Sequence, residues 1–168
     1  MGLSFTGSTV TINVNAPTVA TGRMTGGGTG ITAEGIRVSH GFELHCDPSR
    51  SPNTLEVNWG KGHKFFLDGV VTAVCSDNPD IAPNQSAAGF DTYRGTGTGR
   101  YDGVAGATVE WTFTDAGEPG TKDTLSITIK DNRGDVVLQV SGYLASGNHQ
   151  AHKNNMGPQT NSAPLPMP

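Results

Sequence analysis

The stretch SHGFELHCD, residues 39–47, sets His40, His45, Cys46 and Asp47 within nine residues, and a second histidine pair, His149 and His152, stands late in the chain in GNHQAHK, which reads as a polar loop. Imidazole, thiolate and carboxylate are the ligand types that zinc and copper take. On an extended strand rising about 3.3 Å per residue, His40 and Cys46 share a face roughly 20 Å apart, while His45 points to the other side. Metal–ligand bonds of about 2.0–2.3 Å cannot span that separation. The segment therefore makes no metal centre alone. His40, on the apolar face, reads as a hydrogen-bonded core histidine. His45, on the polar face, could be joined by His149 and His152, which would give three imidazoles and one open position for zinc or copper.

A second set of residues points to ligand binding rather than metal. Trp59, if exposed, offers an aromatic surface on which a sugar ring stacks, although its alternation with Leu55 and Val57 also fits a core position. Arg94, Arg100 and Tyr101 flank a glycine alternation, and would line the cavity of a small barrel. Other constellations carry little. Glu43, Glu56 and Glu110 fall on outward strand positions and read as solvated carboxylates rather than a paired acid and base. Asp77, Asn78 and Asp80 lack the spacing of a known calcium loop. Arg133-Gly134-Asp135 reads as turn chemistry at a hairpin tip. A nucleophile elbow, a phosphate loop and a dinucleotide fingerprint are all missing from the sequence. The weight of these readings is against an enzyme.

The elements that must position these residues follow a period of two. TVTINVN (9–15), GIRVSHGFELHC (35–46), LEVNW (55–59), HKFFL (63–67), VVTAVC (70–75), TVEWTFT (108–114), TLSITIK (124–130) and VVLQVSGYL (136–144) alternate apolar with polar residues, as half-buried strands do. HKFFL and VVTAVC are expected to form a hairpin about an Asp68-Gly69 turn. In YRGTGTGRY, Gly95, Gly97 and Gly99 face one way, which permits sharp coiling or the close approach of a large aromatic such as Trp111. The expected fold is all-β, an antiparallel barrel or sandwich of about 8 to 10 short strands. Residues 22–35 read as a flexible glycine-rich linker, residues 22–153 as the single β domain, and residues 154–168 as a Pro- and Asn-rich tail. The segment 1–21 reads as an N-terminal strand that a neighbouring copy could exchange to build an oligomer or filament.

Composition bounds the function further. The chain has 168 residues, a net charge of -4, 15% charged residues, 24 glycines and 10 prolines. That charge, with no run of Lys and Arg, argues against nucleic acid, whose binders displace counterions with a basic stripe. No apolar stretch approaches the roughly 20 residues of a membrane-spanning helix. The opening residues show neither the basic nor the apolar region of a signal peptide. MGLSFT matches the myristoylation pattern but lacks a polybasic partner. Cys46 and Cys75 are the only cysteines. At the ends of two strands, in an oxidising compartment, such a pair most simply forms one disulfide; two separate buried thiols in a reducing compartment are the other reading.

Taken together, TGGG (25–28), HGFELHCD (40–47), VNWG (57–60), GTGTGRY (95–101), WTFTDAGEPG (111–120) and GNHQAH (147–152) resemble a group of secreted bacterial β-rich modules of the post-COAP type, often attached to larger surface proteins. The resemblance runs over about residues 22–153. It implies an extracellular or cell-surface setting and supports the Cys46–Cys75 bridge, and it brings no catalytic residues with it. The expected function is a non-catalytic extracellular structural or binding module that assembles with copies of itself or attaches to a cell-surface or glycan partner. The alternative is a metal-binding protein or small-barrel enzyme using His45, His149 and His152 with zinc or copper.

Overall fold

The computed structural model describes residues 21–81 and 88–153. The strand expected over 9–15, its exchange between copies, and the tail over 154–168 lie outside the described residues. Nine strands follow one another: β1 (Gly22–Ile31), β2 (Arg37–His45), β3 (Thr54–Trp59), β4 (His63–Ser76), β5 (Thr92–Tyr101), β6 (Val104–Thr114), β7 (Thr124–Lys130), β8 (Val136–Tyr143) and β9 (Ser146–Lys153). They form one antiparallel sheet in the order β8-β7-β6-β5-β4-β3-β2-β1-β9, curled into a half-barrel, with no helix among the described residues. The connection between β8 and β9 explains the curl. These strands hold opposite ends of the sheet order, yet only Leu144 and Ala145 join them. Two residues span a few ångströms, so the two edges must be brought together. The Leu144 amide donates to the Asp123 carbonyl (3.0 Å) and the Ala145 amide to the Thr29 carbonyl (2.7 Å), fastening that corner.

Coiling of this degree needs room on the inner face, and glycine supplies it. A Cβ on Gly95 would lie 2.5 Å from Trp111 Cζ2, and one on Gly99 would lie 2.5 Å from the Phe65 ring. Both distances are well inside van der Waals contact, so the bare stripe of β5 is the bed on which Trp111 and Phe65 rest. The same device operates in β1, where a Cβ on Gly26 would come within 2.9 Å of the His149 ring. Residues 22–31 are therefore a strand paired on both sides, to β2 and β9, and not a linker. Glycine carries low strand propensity by itself. Here it is retained because it removes bulk where another side chain must lie.

Two further expectations change. Residues 63–76 are a single strand that continues through Asp68 and Gly69, with register shifts against β5 at Leu67/Gly69 and Val70/Thr72. β5 runs unbroken beside them for ten residues, so pairing carries β4 across the site as bulges instead of a turn. Residues 146–153, expected as a polar loop, form β9 against β1. The inner face is filled by Met24, Phe42, Val57, Phe65, Tyr93, Trp111, Phe113 and Ile127, all buried. Each such side chain contributes roughly 1.5–3 kcal/mol by leaving water.

The Cys46–Cys75 disulfide is formed, with sulfurs 2.01 Å apart. β3 pairs with β4 only along His63–Phe66, so the distal arm of β4 leaves β3 behind. The bridge fastens that arm to the end of β2, and the Tyr93 hydroxyl donates to the His45 carbonyl (3.0 Å) nearby.

Candidate functional site

Alternation on β2 sends His40 and Phe42 inward, and alternation on β9 sends His149 inward to meet them. The two rings touch, Nε2 to Nε2, at 2.9 Å. Nδ1 of His149 lies 3.0 Å from the Thr114 carbonyl. A carbonyl only accepts, so His149 donates from Nδ1 and accepts at Nε2 from the Nε2–H of His40. Nδ1 of His40 is left facing the Gly28 backbone without a well-formed hydrogen bond. Phe42 and Phe113 stack at 4.2 Å, His40 lies parallel to Phe113 at 5.4 Å, and His149 meets both phenyl rings edge-on. Burial in this box lowers His40 to about 4. Burial, then the neighbouring His40, lowers His149 to about 3. Both imidazoles are neutral at physiological pH.

The connection between β6 and β7 grips the same strand. Asp123 Oδ2 accepts the His149 amide (2.7 Å) while its Oδ1 accepts the Ala116 amide (2.8 Å). Asp115 Oδ2 accepts the Ala151 amide (2.8 Å), and Glu118 accepts from the side chains of Asn148 (3.0 Å) and Gln150 (2.6 Å). Three carboxylates thus hold β9 along the edge that β1 does not cover. An unpaired strand edge invites association, and this one is closed by carboxylates. Burial raises Asp123 above the usual carboxylate range, partly offset by the two amides it accepts. Sequence patterns do not reveal this clamp, since DAGEPGTKD reads as an ordinary turn.

The expected histidine set is not assembled. His149 and His152 are three residues apart on a strand, so they project to opposite faces. His152 instead hydrogen-bonds the Thr25 hydroxyl (2.7 Å). His45 donates from Nδ1 to the Pro52 carbonyl (2.9 Å), and the 46–53 loop buries it despite its polar-face position. In cross-strand register Arg23 stands between His45 and His152. A cation there opposes a second cation. Among the described residues no three His, Cys, Asp or Glu side chains are grouped to hold a metal ion.

The expected ligand-binding residues divide between the two faces of the sheet, Trp59 and Tyr101 together on one and Arg94 and Arg100 on the other. Trp59 is 6% exposed and belongs to the core. Its ring stacks on Tyr101 at 5.6 Å, and the His63 Nδ1–H is shared between Asp102 (2.8 Å) and the Tyr101 hydroxyl (3.0 Å). Arg94 and Arg100 lie exposed on the outer face, Arg100 paired with Asp68 at 3.0 Å. They do not line an interior cavity, because the inner face belongs to the glycines between them. Arg133-Gly134-Asp135 is a turn: Asp131 Oδ1 accepts the amides of Arg133 (2.9 Å) and Asp135 (3.0 Å), and Arg133 pairs with both aspartates. Glu43 pairs with Arg23 at 3.6 Å and Glu56 accepts from Asn58 at 2.9 Å.

Among the described residues no helix is long and apolar enough to cross a membrane. Comparison of the chain with protein-family models, with curated proteins and with solved structures gives no match.

Proposed function

We propose that this domain is a non-catalytic extracellular binding module that works through its outer surface. The observation that carries the reading is how the buried histidines and carboxylates are used. His40, His149, Asp115 and Asp123 are buried and tied to one another or to backbone amides and carbonyls that hold the sheet closed. A general acid or base must reach a substrate atom within hydrogen-bonding distance, and these four are turned into the fold. The disulfide supports an oxidising, extracellular setting. The resemblance of HGFELHCD and GNHQAH to secreted bacterial modules supports the same location.

The test is adsorption of the oxidised protein to isolated bacterial cell envelopes, together with elemental analysis. Saturable adsorption without stoichiometric metal is expected. No adsorption, or stoichiometric zinc or copper that disappears in His149→Ala/His152→Ala, overturns the reading.

A further inference from the structure

The outer face of the sheet carries several exposed apolar side chains, Val74 on β4 and Tyr143 on β8 among them, and at Phe66 one of them stands in a row of polar groups. Phe66 is 39% exposed at an outward position of β4. In register it stands in a row running Gly41, Glu56, Phe66, Arg100 across β2 to β5. The adjacent row carries Ser39 beside Asn58. Gly41 has open space where a side chain would stand, with nothing within 4 Å of an added Cβ. The row therefore dips at β2 and rises at the phenyl ring. The result is a groove of about 560 Å³ bordered by Ser39, Thr54, Glu56, Asn58, Phe66 and Arg100.

The polar side chains here are already oriented. Asn58 Nδ2 donates to Glu56 Oε1 at 2.9 Å, and Arg100 Nε donates to Asp68 Oδ1 at 3.0 Å. A carboxylate accepts about four hydrogen bonds and a guanidinium donates five, so each of these bonds leaves capacity on a group whose position is set. An exposed aromatic ring beside preoriented carboxylate, amide, hydroxyl and guanidinium groups is the composition that recognises a pyranose. The apolar C–H face of the sugar rests on the ring while its hydroxyls both donate and accept around it. The charge selects among sugars. Arg100 is matched by Asp68, and Glu56 is balanced by Lys64, which stands opposite Asn58 in the adjacent row, so the groove carries no net charge to draw a sulfated or carboxylated chain.

The geometry points to this groove as a binding site for a neutral oligosaccharide, with Phe66 as the stacking surface and Glu56, Asn58 and Arg100 as hydroxyl partners. The assignment rests on the binding-module reading and names its ligand class. It departs from the sequence expectation of Trp59 as the stacking ring, because Trp59 is turned inward and Phe66 outward on adjacent strands.

The experiment is an NMR titration of the oxidised full chain with cellohexaose, chitohexaose, mannohexaose and maltohexaose, with heparin as the polyanionic control. At least one hexaose is expected to shift the Ser39, Gly41, Glu56 and Phe66 amides saturably, and heparin to leave them in place. Phe66→Ala should weaken that binding about tenfold, the equivalent of one stacking contact, with an unchanged melting temperature. Glu56→Gln should weaken it several-fold, and Glu110→Gln, on the outer face of β6, should not alter it. If Phe66→Ala fails to fold, Glu56→Gln and Arg100→Ala read the same site. Silence from all four hexaoses, shifts confined to another face, or variants that bind like the parent overturn the assignment. So do shifts that grow with protein concentration alone, which would make the groove an interface between copies. Silent hexaoses with envelope adsorption intact defeat the groove alone, whereas loss of adsorption by the parent protein defeats the module reading.

Discussion

His40 and His149 make the acid sensitivity of this protein a property of two side chains. Both are lowered by burial, to about 4 and about 3, from an unfolded value of 6.5. Between those values the unfolded chain binds protons that the folded chain refuses, so stability is complete above pH 6.5 and is lost as pH falls toward 4. A tenfold difference in proton affinity between the folded and unfolded chain is worth about 1.4 kcal/mol, so each histidine costs roughly 2 to 3 kcal/mol between pH 7 and 4.5. Asp123, whose folded value is raised, acts in the opposite sense and offsets part of the loss. Urea unfolding at pH 7, 5.5 and 4.5 should show a falling midpoint, with a clearly smaller fall in His40→Gln. A profile as steep in the variant as in the parent would assign the effect elsewhere. The core position of His40 is legible from its place in an alternating run. Its partner is not, because GNHQAHK reads as a polar loop, and no local pattern shows that two strands more than a hundred residues apart face each other.

At the scale of elements, the β6–β7 connection does what a neighbouring strand would otherwise do. Asp123 takes the His149 amide, which β1 does not reach, along with the Ala116 amide. Charge-assisted bonds to buried amides contribute about 1.5–3 kcal/mol each. Set against the cost of burying the carboxylate, the two bonds lead to an expected destabilisation of about 2–4 kcal/mol in Asp123→Ala, and less in Asp123→Asn, which keeps one acceptor. Hydrogen exchange gives a sharper readout. The His149 and Ala116 amides should exchange faster in Asp123→Ala while the β5–β6 ladder stays protected; uniform acceleration would mean that the carboxylate supports the fold only globally. Most strands are visible in the sequence as alternating apolar runs, and β7 coincides with the expected span. β1 and β9 are not, for one reason. Their inward positions carry Gly26, Gly28 and His149 instead of branched or aromatic residues, so periodicity has little contrast to register. Glycine that makes room for Trp111 on β5 does the same on β1, where the ring that needs room arrives from β9.

For the whole molecule, the corner at Leu144–Ala145 brings the two edges of the sheet together, and the disulfide pins the distal arm of β4 to the end of β2. Cys46 and Cys75 are 29 residues apart in sequence. On the chain-entropy estimate a loop of that length contributes about 3 to 4 kcal/mol. Cys46→Ala/Cys75→Ala should unfold at correspondingly lower urea and be unaffected by reductant, whereas the parent should fall to a similar midpoint when reduced. An unchanged midpoint on reduction would show that packing of β4 against β5 suffices. The pairing, the all-β class and the outward carboxylates can be read from the chain because they follow from local alternation and from there being only two cysteines. Alternation reports which side of a strand a residue occupies; it does not report which strand lies opposite, or whether a side faces a core, a loop or solvent. Packing of distant segments made that choice, joining His40 to His149, placing Arg23 between His45 and His152, burying Trp59, and leaving Phe66 at the rim of an open groove.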